Sequence, residues 1–361
     1  MKGLLKGVLR SERGFVVALA VLSTPGMAPE LDAQDARPSL YQPTASPDGS
    51  EIAFVSSGEI WTAPSTGGVA RILVAHEADE SAPLYSPDGT RLAFVSNRAG
   101  DNDVYVMELT SGTVTRLTYG DGNEELNAWS PDGEMILFAD GRHDPGGQPD
   151  IWSIPSSGGT PVKLLADEYS PEFHAAISPD GATIAIAANA RMAQGQWWRN
   201  GHSHIDEAEI WLVTWGNRPT YRQLSASGSK SVQPMWTRDG DDVVYVSDRS
   251  GTENLWTQPT AGGRARALTT FTEGRLLFPR ISANTDLVVF ERDFEIWSIQ
   301  LPGGTPTPVD IELMGAVQTP IAEELSLNSG FGDLSLSPDG EKVAFTARGE
   351  VFAVSVEDGG Q

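Results

Sequence analysis

Short runs of alternating apolar and polar residues fill this chain, and turns rich in Ser, Pro, Asp and Gly separate them. Alternation with period two marks half-buried β-strands. The clearest stretch runs Ala82-Pro83-Leu84-Tyr85, then Ser86-Pro87-Asp88-Gly89, then Arg91-Leu92-Ala93-Phe94-Val95. Pro presets φ at the first central position of the turn, Asp bonds back to its own backbone, and Gly takes the left-handed conformation. Two strands joined by a tight turn are expected. Val104-Tyr105-Val106-Met107 predicts a third strand, and Val114 to Thr118, beyond the Ser111-Gly112 turn, predicts a fourth.

The unit repeats. Ser-Pro-Asp-Gly starts at Ser46, Ser86, Ser130, Ser178 and Ser337, and worn copies start at Thr237 and Ser282. Four antiparallel strands in a repeat of about 40 residues make a propeller blade. The third strand of each unit carries an aliphatic-aromatic pair: Ile60-Trp61, Val104-Tyr105, Ile151-Trp152, Ile210-Trp211, Leu255-Trp256, Ile296-Trp297 and Val351-Phe352. A large ring on a half-buried strand is expected to pack between blades.

The seven starts lie 40, 44, 48, 59, 45 and 55 residues apart. From start to aromatic marker the distances are 15, 19, 22, 33, 19, 15 and 15 residues. The spacing of 59 therefore reflects an insertion between the second and third strands of blade four. The spacing of 55 falls after the sixth marker, in a stretch holding Pro302, Pro306, Pro308 and Pro320. The expectation is an all-β chain: a six-bladed β-propeller of four-stranded blades over 38–310, a linker over 311–330, and the incomplete first blade of a second propeller over 331–361. The seventh repeat reaches Glu357-Asp358-Gly359-Gly360-Gln361 without a fourth strand, which suggests a gene product that continues into a second propeller. The rival count is one seven-bladed ring whose last strand comes from Arg37 to Gln42.

Residues 1–36 read as a secretory signal peptide: Lys2, Lys6, Arg10 and Arg13 precede an apolar run from Phe15 to Leu22. That run is too short to span a bilayer, so the expected location is periplasmic or extracellular, without a membrane span. The net charge of −24 argues against nucleic acid and against anionic membrane surfaces. The chain has no cysteine, hence no thiolate metal site and no Cys nucleophile.

In such a blade the first and third turns share one face of the disc, and the other connections share the opposite face. The first face, with its Ser-Pro-Asp-Gly and Gly-Gly turns, reads as structural. The second collects Glu77, Asp79, Glu80, Asp121, Glu124, Glu125, Asp167, Glu168 and Glu172 together with the blade-four insertion. That face is the expected meeting place for a partner or cationic peptide. In the insertion, Trp197, Trp198, Arg199, His202, His204 and Asp206 are the candidate contacts, with Glu124 and Glu125 beside them. His202 and His204 share a face in an extended chain, with Asp206 beyond them, but the spacing is generic and no third ligand is fixed, so no metal and no cofactor is assigned. A packed hairpin closing over blade four is the competing account of that insertion. Arg98 and Arg249 occupy matched places in blades two and five and read as structural. No Gly-x-Ser-x-Gly, His-Glu-x-x-His or phosphate-loop motif is present, so no catalytic residue is assigned.

The repeat Ser-Pro-Asp-Gly-x-x-aliphatic-Ala-Phe followed by Ile-Trp resembles the WD40-like (PD40) repeats of TolB and of the tricorn-type proteases. Three features resemble tricorn more closely. They are the blade-four stretch Trp198-Arg199-Asn200-Gly201 through Glu209-Ile210-Trp211-Leu212, the Pro-rich run after Phe290-Glu291-Arg292, and the segment from Leu334 to Glu350. The resemblance implies the non-catalytic propeller part of a tricorn-like serine peptidase of the S41 type. In such enzymes propellers filter peptides for a C-terminal hydrolase with a PDZ-like module, and the full-length protein can form a homo-oligomer. Tricorn itself is cytosolic, which gives the alternative location. TolB-like periplasmic propellers that dock a protein partner are the alternative function. They carry a small α/β domain before the propeller, whereas here blade one follows directly on the signal region.

Overall fold

A computed structural model describes residues 38–120, 122–141, 148–165, 171–189, 207–216, 218–313, 331–347 and 350–355. Residues 1–36, read above as a signal peptide, the insertion residues from Trp197 to Asp206, and Asp121, Asp167 and Glu168 lie outside them. The described residues form strands and connections and no helix. The chain divides into two units. One spans Arg37–Met314, and the other takes in Met1–Ala36 and Gly315–Gln361.

The larger unit is a six-bladed β-propeller, each blade built from four sequential antiparallel strands. Blade one runs Tyr41–Ala45, Glu51–Ser56, Glu59–Pro64 and Gly68–Val74. The turn chemistry explains the repeat. In blade two the Ser86 hydroxyl donates to Asp88 Oδ1 at 2.6 Å. The Thr90 N–H donates to the same oxygen at 3.0 Å, and the Arg91 N–H donates to Ser86 Oγ at 2.9 Å. The Ser or Thr hydroxyls and the backbone N–H groups hold the carboxyls of Asp48, Asp88, Asp132, Asp180, Asp239 and Asp339 below the ordinary aspartate value. At the worn turn, Ser282 instead bonds Thr285, and Asp286 takes the left-handed conformation at φ 55°.

Apolar residues from facing blades form the core as a ring. Phe94, Leu92 and Tyr105 of blade two pack on Val55 and Ile60 of blade one. Phe138 and Trp129 of blade three meet Ala93 and Val106 of blade two. Ile151 of blade three meets Ile184 and Ile186 of blade four. A continuous cluster joins blades four, five and six through Phe173, Tyr245 and Phe290. Phe54 and Trp61 of blade one close the circle on Val289 and Ile296 of blade six. The markers Trp61 and Tyr105 are buried, and Trp152, Trp211, Trp256 and Trp297 are partly buried against these clusters. They pack between blades, as their place in the repeat implies.

The seam between blades six and one has no shared strand, since both blades are complete in themselves. The Leu40 N–H donates to the Phe294 carbonyl at 3.0 Å, and the Asn284 N–H donates to the Pro47 carbonyl at 3.0 Å. Ile311–Leu313, which the sequence pattern assigns to the linker, pairs parallel with Gly68–Ala70 on the outer edge of blade one. Gly67 makes this approach feasible. Its φ is +89°, and a Cβ there would lie 2.5 Å from the Asp310 carbonyl oxygen.

Glu291 is buried at the same seam. Burial pushes its carboxyl up to about 7, against the opposing pull of the Gln42 backbone N–H and the Arg275 charge. A carboxyl raised from an unfolded value of 4.5 to about 7 binds more protons when folded, so stability falls as pH rises through that window. Glu291→Gln is expected to leave stability unchanged near the bottom of the window. Above it the variant gains about 1–2 kcal/mol after allowance for solvent screening. Urea midpoints of both proteins across that range check it; an equal difference at every pH would contradict it.

The second unit contains a three-stranded sheet, Phe331–Leu336, Lys342–Ala347 and Glu350–Ser355. Its first turn repeats the propeller chemistry, with the Ser337 hydroxyl donating to Asp339 and the Lys342 N–H to Ser337.

Candidate functional site

The innermost strands of the six blades surround the propeller axis, and each is interrupted at a matched place. Register shifts fall between residues 41 and 44, 81 and 84, 173 and 176, 232 and 235, and 277 and 280. The bulged residues Gln42, Ala82, His174, Gln233 and Phe278 have positive φ. In blade three Asn127 is the extra residue. Bulges bend a strand and re-aim side chains. Here they turn polar groups from one blade to the next. Gln42 Oε1 accepts the Ala82 N–H at 2.8 Å, and Asn127 Oδ1 accepts the Ala175 N–H at 2.9 Å.

Arg280 crosses the axis. From blade six its guanidinium donates to the Asn127 and Leu126 carbonyls of blade three, the opposite blade, at 3.2 and 3.3 Å. Desolvation lowers its pKa, and Glu125 opposes that shift. Glu125 Oε1 in turn lies 3.1 Å from His174 Nε2.

On the Ser-Pro-Asp-Gly side of Arg280 lies a cavity of about 350 Å³ to which all six blades contribute. Pro47, Pro87, Pro131 and Pro179 form its rim, and Trp129 and Trp236 stand in its wall. The indole N–H groups are spent on the backbone: Trp129 donates to the Leu84 carbonyl and Trp236 to the Ala176 carbonyl, each at 3.0 Å. Among the described residues, Arg238 and Arg280 are the only charged ones lining this cavity. The face that reads as purely structural in the sequence thus carries the axial opening. A second cavity, also about 350 Å³, lies on the other face and is lined by Glu124, Glu125, Asp140 and Gln42.

The sequence candidates divide accordingly. Trp197, Trp198, Arg199, His202, His204 and Asp206 lie outside the described residues. Glu124 and Glu125 come together at the second cavity, Glu124 buried and Glu125 half-buried. Several acids assigned to the second face are interior. Glu80, Glu124 and Glu172 each sit six residues before their turn Ser and are buried. Glu80 Oε1 accepts from Arg98 at 2.8 Å and from Ser96 at 3.1 Å. Arg98 also lies over the rings of Phe94 and Tyr105, and Arg249 lies likewise over Tyr245 and Trp256. Both arginines are structural, as their matched positions imply. Among the described residues no group of His, Asp and Glu is arranged to hold a metal, and no helix is long and apolar enough to cross a membrane.

Arg280 is the residue that motif reading misses. It stands two residues before the blade-six turn, where the other blades carry Thr44, Leu84, Ala128, Ala176 and Met235. One cation in an otherwise uncharged ring of equivalent positions is the signal that marks it.

Residues 38–305 match the family described as the tricorn protease N-terminal beta propeller domain. The chain belongs to that family. Tricorn protease homolog 1 of Streptomyces coelicolor is 27% identical over 314 residues, which cover 85% of this chain and 27% of the homolog. The tricorn protease of Thermoplasma acidophilum is 19% identical over 320 residues, covering 85% of this chain and 28% of that protein. The chain therefore matches little more than a quarter of the length of these two relatives. Among solved structures, tricorn protease superposes with a TM-score of 0.63 at 17% identity, over 89% of this chain and 31% of that one. A putative TolB from Agrobacterium tumefaciens gives 0.52 at 22% identity, over 64% of this chain and 80% of that one. These two structural likenesses speak for the fold alone.

Proposed function

We propose that this chain is the substrate-handling, non-hydrolytic propeller part of an exported tricorn-like serine peptidase of the S41 type. It binds and guides peptides for a hydrolase domain that lies outside these 361 residues. The observation that carries the reading is the family match over 38–305. The axial cavity supports it. A site of about 350 Å³, apolar with a few polar groups, sits at the small end of ligand pockets and suits a peptide segment. The second unit is read as the opening blade of a second propeller, because its turn at Ser337 repeats the chemistry of the others. Export is proposed from the basic residues and apolar run of the first 22 positions.

The test uses the purified full chain, immobilised and exposed to a mixture of short unfolded peptides, with mass spectrometry of the bound and free fractions. Retained peptides of unchanged length are expected. Shortened peptides, suppressed by a serine-directed inhibitor, would show that the chain itself hydrolyses. Absence of any retained peptide would overturn the handling role.

A further inference from the structure

We propose that the axial cavity on the Ser-Pro-Asp-Gly face is a binding site for a carboxylate group, with the Arg280 guanidinium as its recognition element. The first argument is charge. In a chain with 49 acidic and 25 basic residues, the described residues lining this cavity include two arginines and no Asp or Glu. The second argument is the donor count. A guanidinium carries five N–H donors in a planar fork. Arg280 spends one on each of two carbonyls, at 3.2 and 3.3 Å, and the carboxylate that acts on its charge, Glu125, lines the other cavity. The remaining donors belong to a half-buried residue in the cavity wall, where a paired charge is held more strongly than in open water.

The fork fits a carboxylate bidentately, without surrender of the cross-axis bonds. Those bonds hold the guanidinium in place before any ligand arrives, so little side-chain entropy remains to be lost on binding. The prolines and the two tryptophans suit the apolar part of the ligand, since their polar atoms are already committed or missing. The turn aspartates do not line the cavity, and each is bonded to its own turn. Arg238, held at the rim by its bond to the Asn284 carbonyl, adds a second positive charge on the approach.

That the carboxylate belongs to a peptide rests on the function proposed above; the site itself does not. Calorimetry on the full chain separates the two. The probes are propionate, acetyl-Pro-Ala-Leu with a free C-terminus, the same peptide as its C-terminal amide, and acetyl-Pro-Glu-Leu amide. The free acid is expected to bind at least about tenfold more tightly than the neutral amide, the size expected of one charge-assisted contact. The Glu-containing amide tells whether a side-chain carboxylate serves as well as a terminal one. Arg280→Gln is expected to abolish the preference. Because that change also cuts the cross-axis bonds, Ala128→Glu provides a second variant. It keeps Arg280 and places a carboxylate beside the Asn127 carbonyl, where it occupies the fork and excludes the ligand.

Equal binding of acid and amide, or a preference that survives Arg280→Gln, overturns the carboxylate site and leaves peptide handling intact. Binding of propionate through Arg280 with no affinity for any peptide keeps the site and overturns the peptide reading. No binding of any probe overturns both.

Discussion

Arg98→Met is expected to destabilise the propeller by about 3–5 kcal/mol, the cost of leaving a buried charge without its partner. The Glu80 side chain is 0% exposed and that of Arg98 is 18% exposed. The guanidinium does three things there: it pairs with Glu80, bonds Ser96 Oγ at 3.0 Å through Nε, and covers the Phe94 and Tyr105 rings. Met restores part of the ring contact and none of the charge. The double variant Glu80→Gln with Arg98→Met is expected to recover most of the loss, because the burden is the orphaned carboxylate rather than the missing bond. Urea unfolding of the two variants checks this. A loss below about 1 kcal/mol in the single variant would place the pair with ordinary surface ion pairs.

Phe54→Ala is the second large effect, also about 3–5 kcal/mol. Phe54 is fully buried where blade one meets blade six, among Trp61, Val289, Ile296 and Val309. The ring is closed there by packing and by the parallel strand Ile311–Leu313, with no strand exchanged between blades. A cavity at this place weakens the closure as well as one blade. The denaturation midpoint should fall with an unchanged slope, as expected when stability changes and the exposed surface does not. Phe54→Leu should cost less than about 1.5 kcal/mol. If alanine and leucine proved equally mild, the seam would not depend on this cluster.

Much of the fold was legible because the propeller writes its geometry into local chemistry. Ser-Pro-Asp-Gly or a worn copy of it marks each first turn, an aliphatic-aromatic pair marks each third strand, and their spacing locates the blades. The closure was not legible. Ile311–Leu313 pairs with Gly68–Ala70, far away in sequence, and the sequence pattern places it in the linker. The inner-strand bulges were hidden too, since Gln42, Ala82 and His174 share no residue type; what they share is a backbone position. Acids posed the hardest problem. Glu80, Glu124 and Glu172 look like surface charge in the sequence, yet their common offset from the turn Ser places them inside. The axial site was legible only through the alignment of repeats against one another, which isolates Arg280 as the one cation in its ring.

The most direct test of the central claim is hydrogen-exchange mass spectrometry on the full chain, with and without a saturating carboxylate-bearing peptide. The account predicts protection of amides around the turn-side half of the axis, at Ala45, Trp129, Trp236, Ile281 and Asn284, with the outer strands of the blades unchanged. Protection confined to the opposite face, around Glu124 and Asp140, or spread over the outer strands, would contradict it.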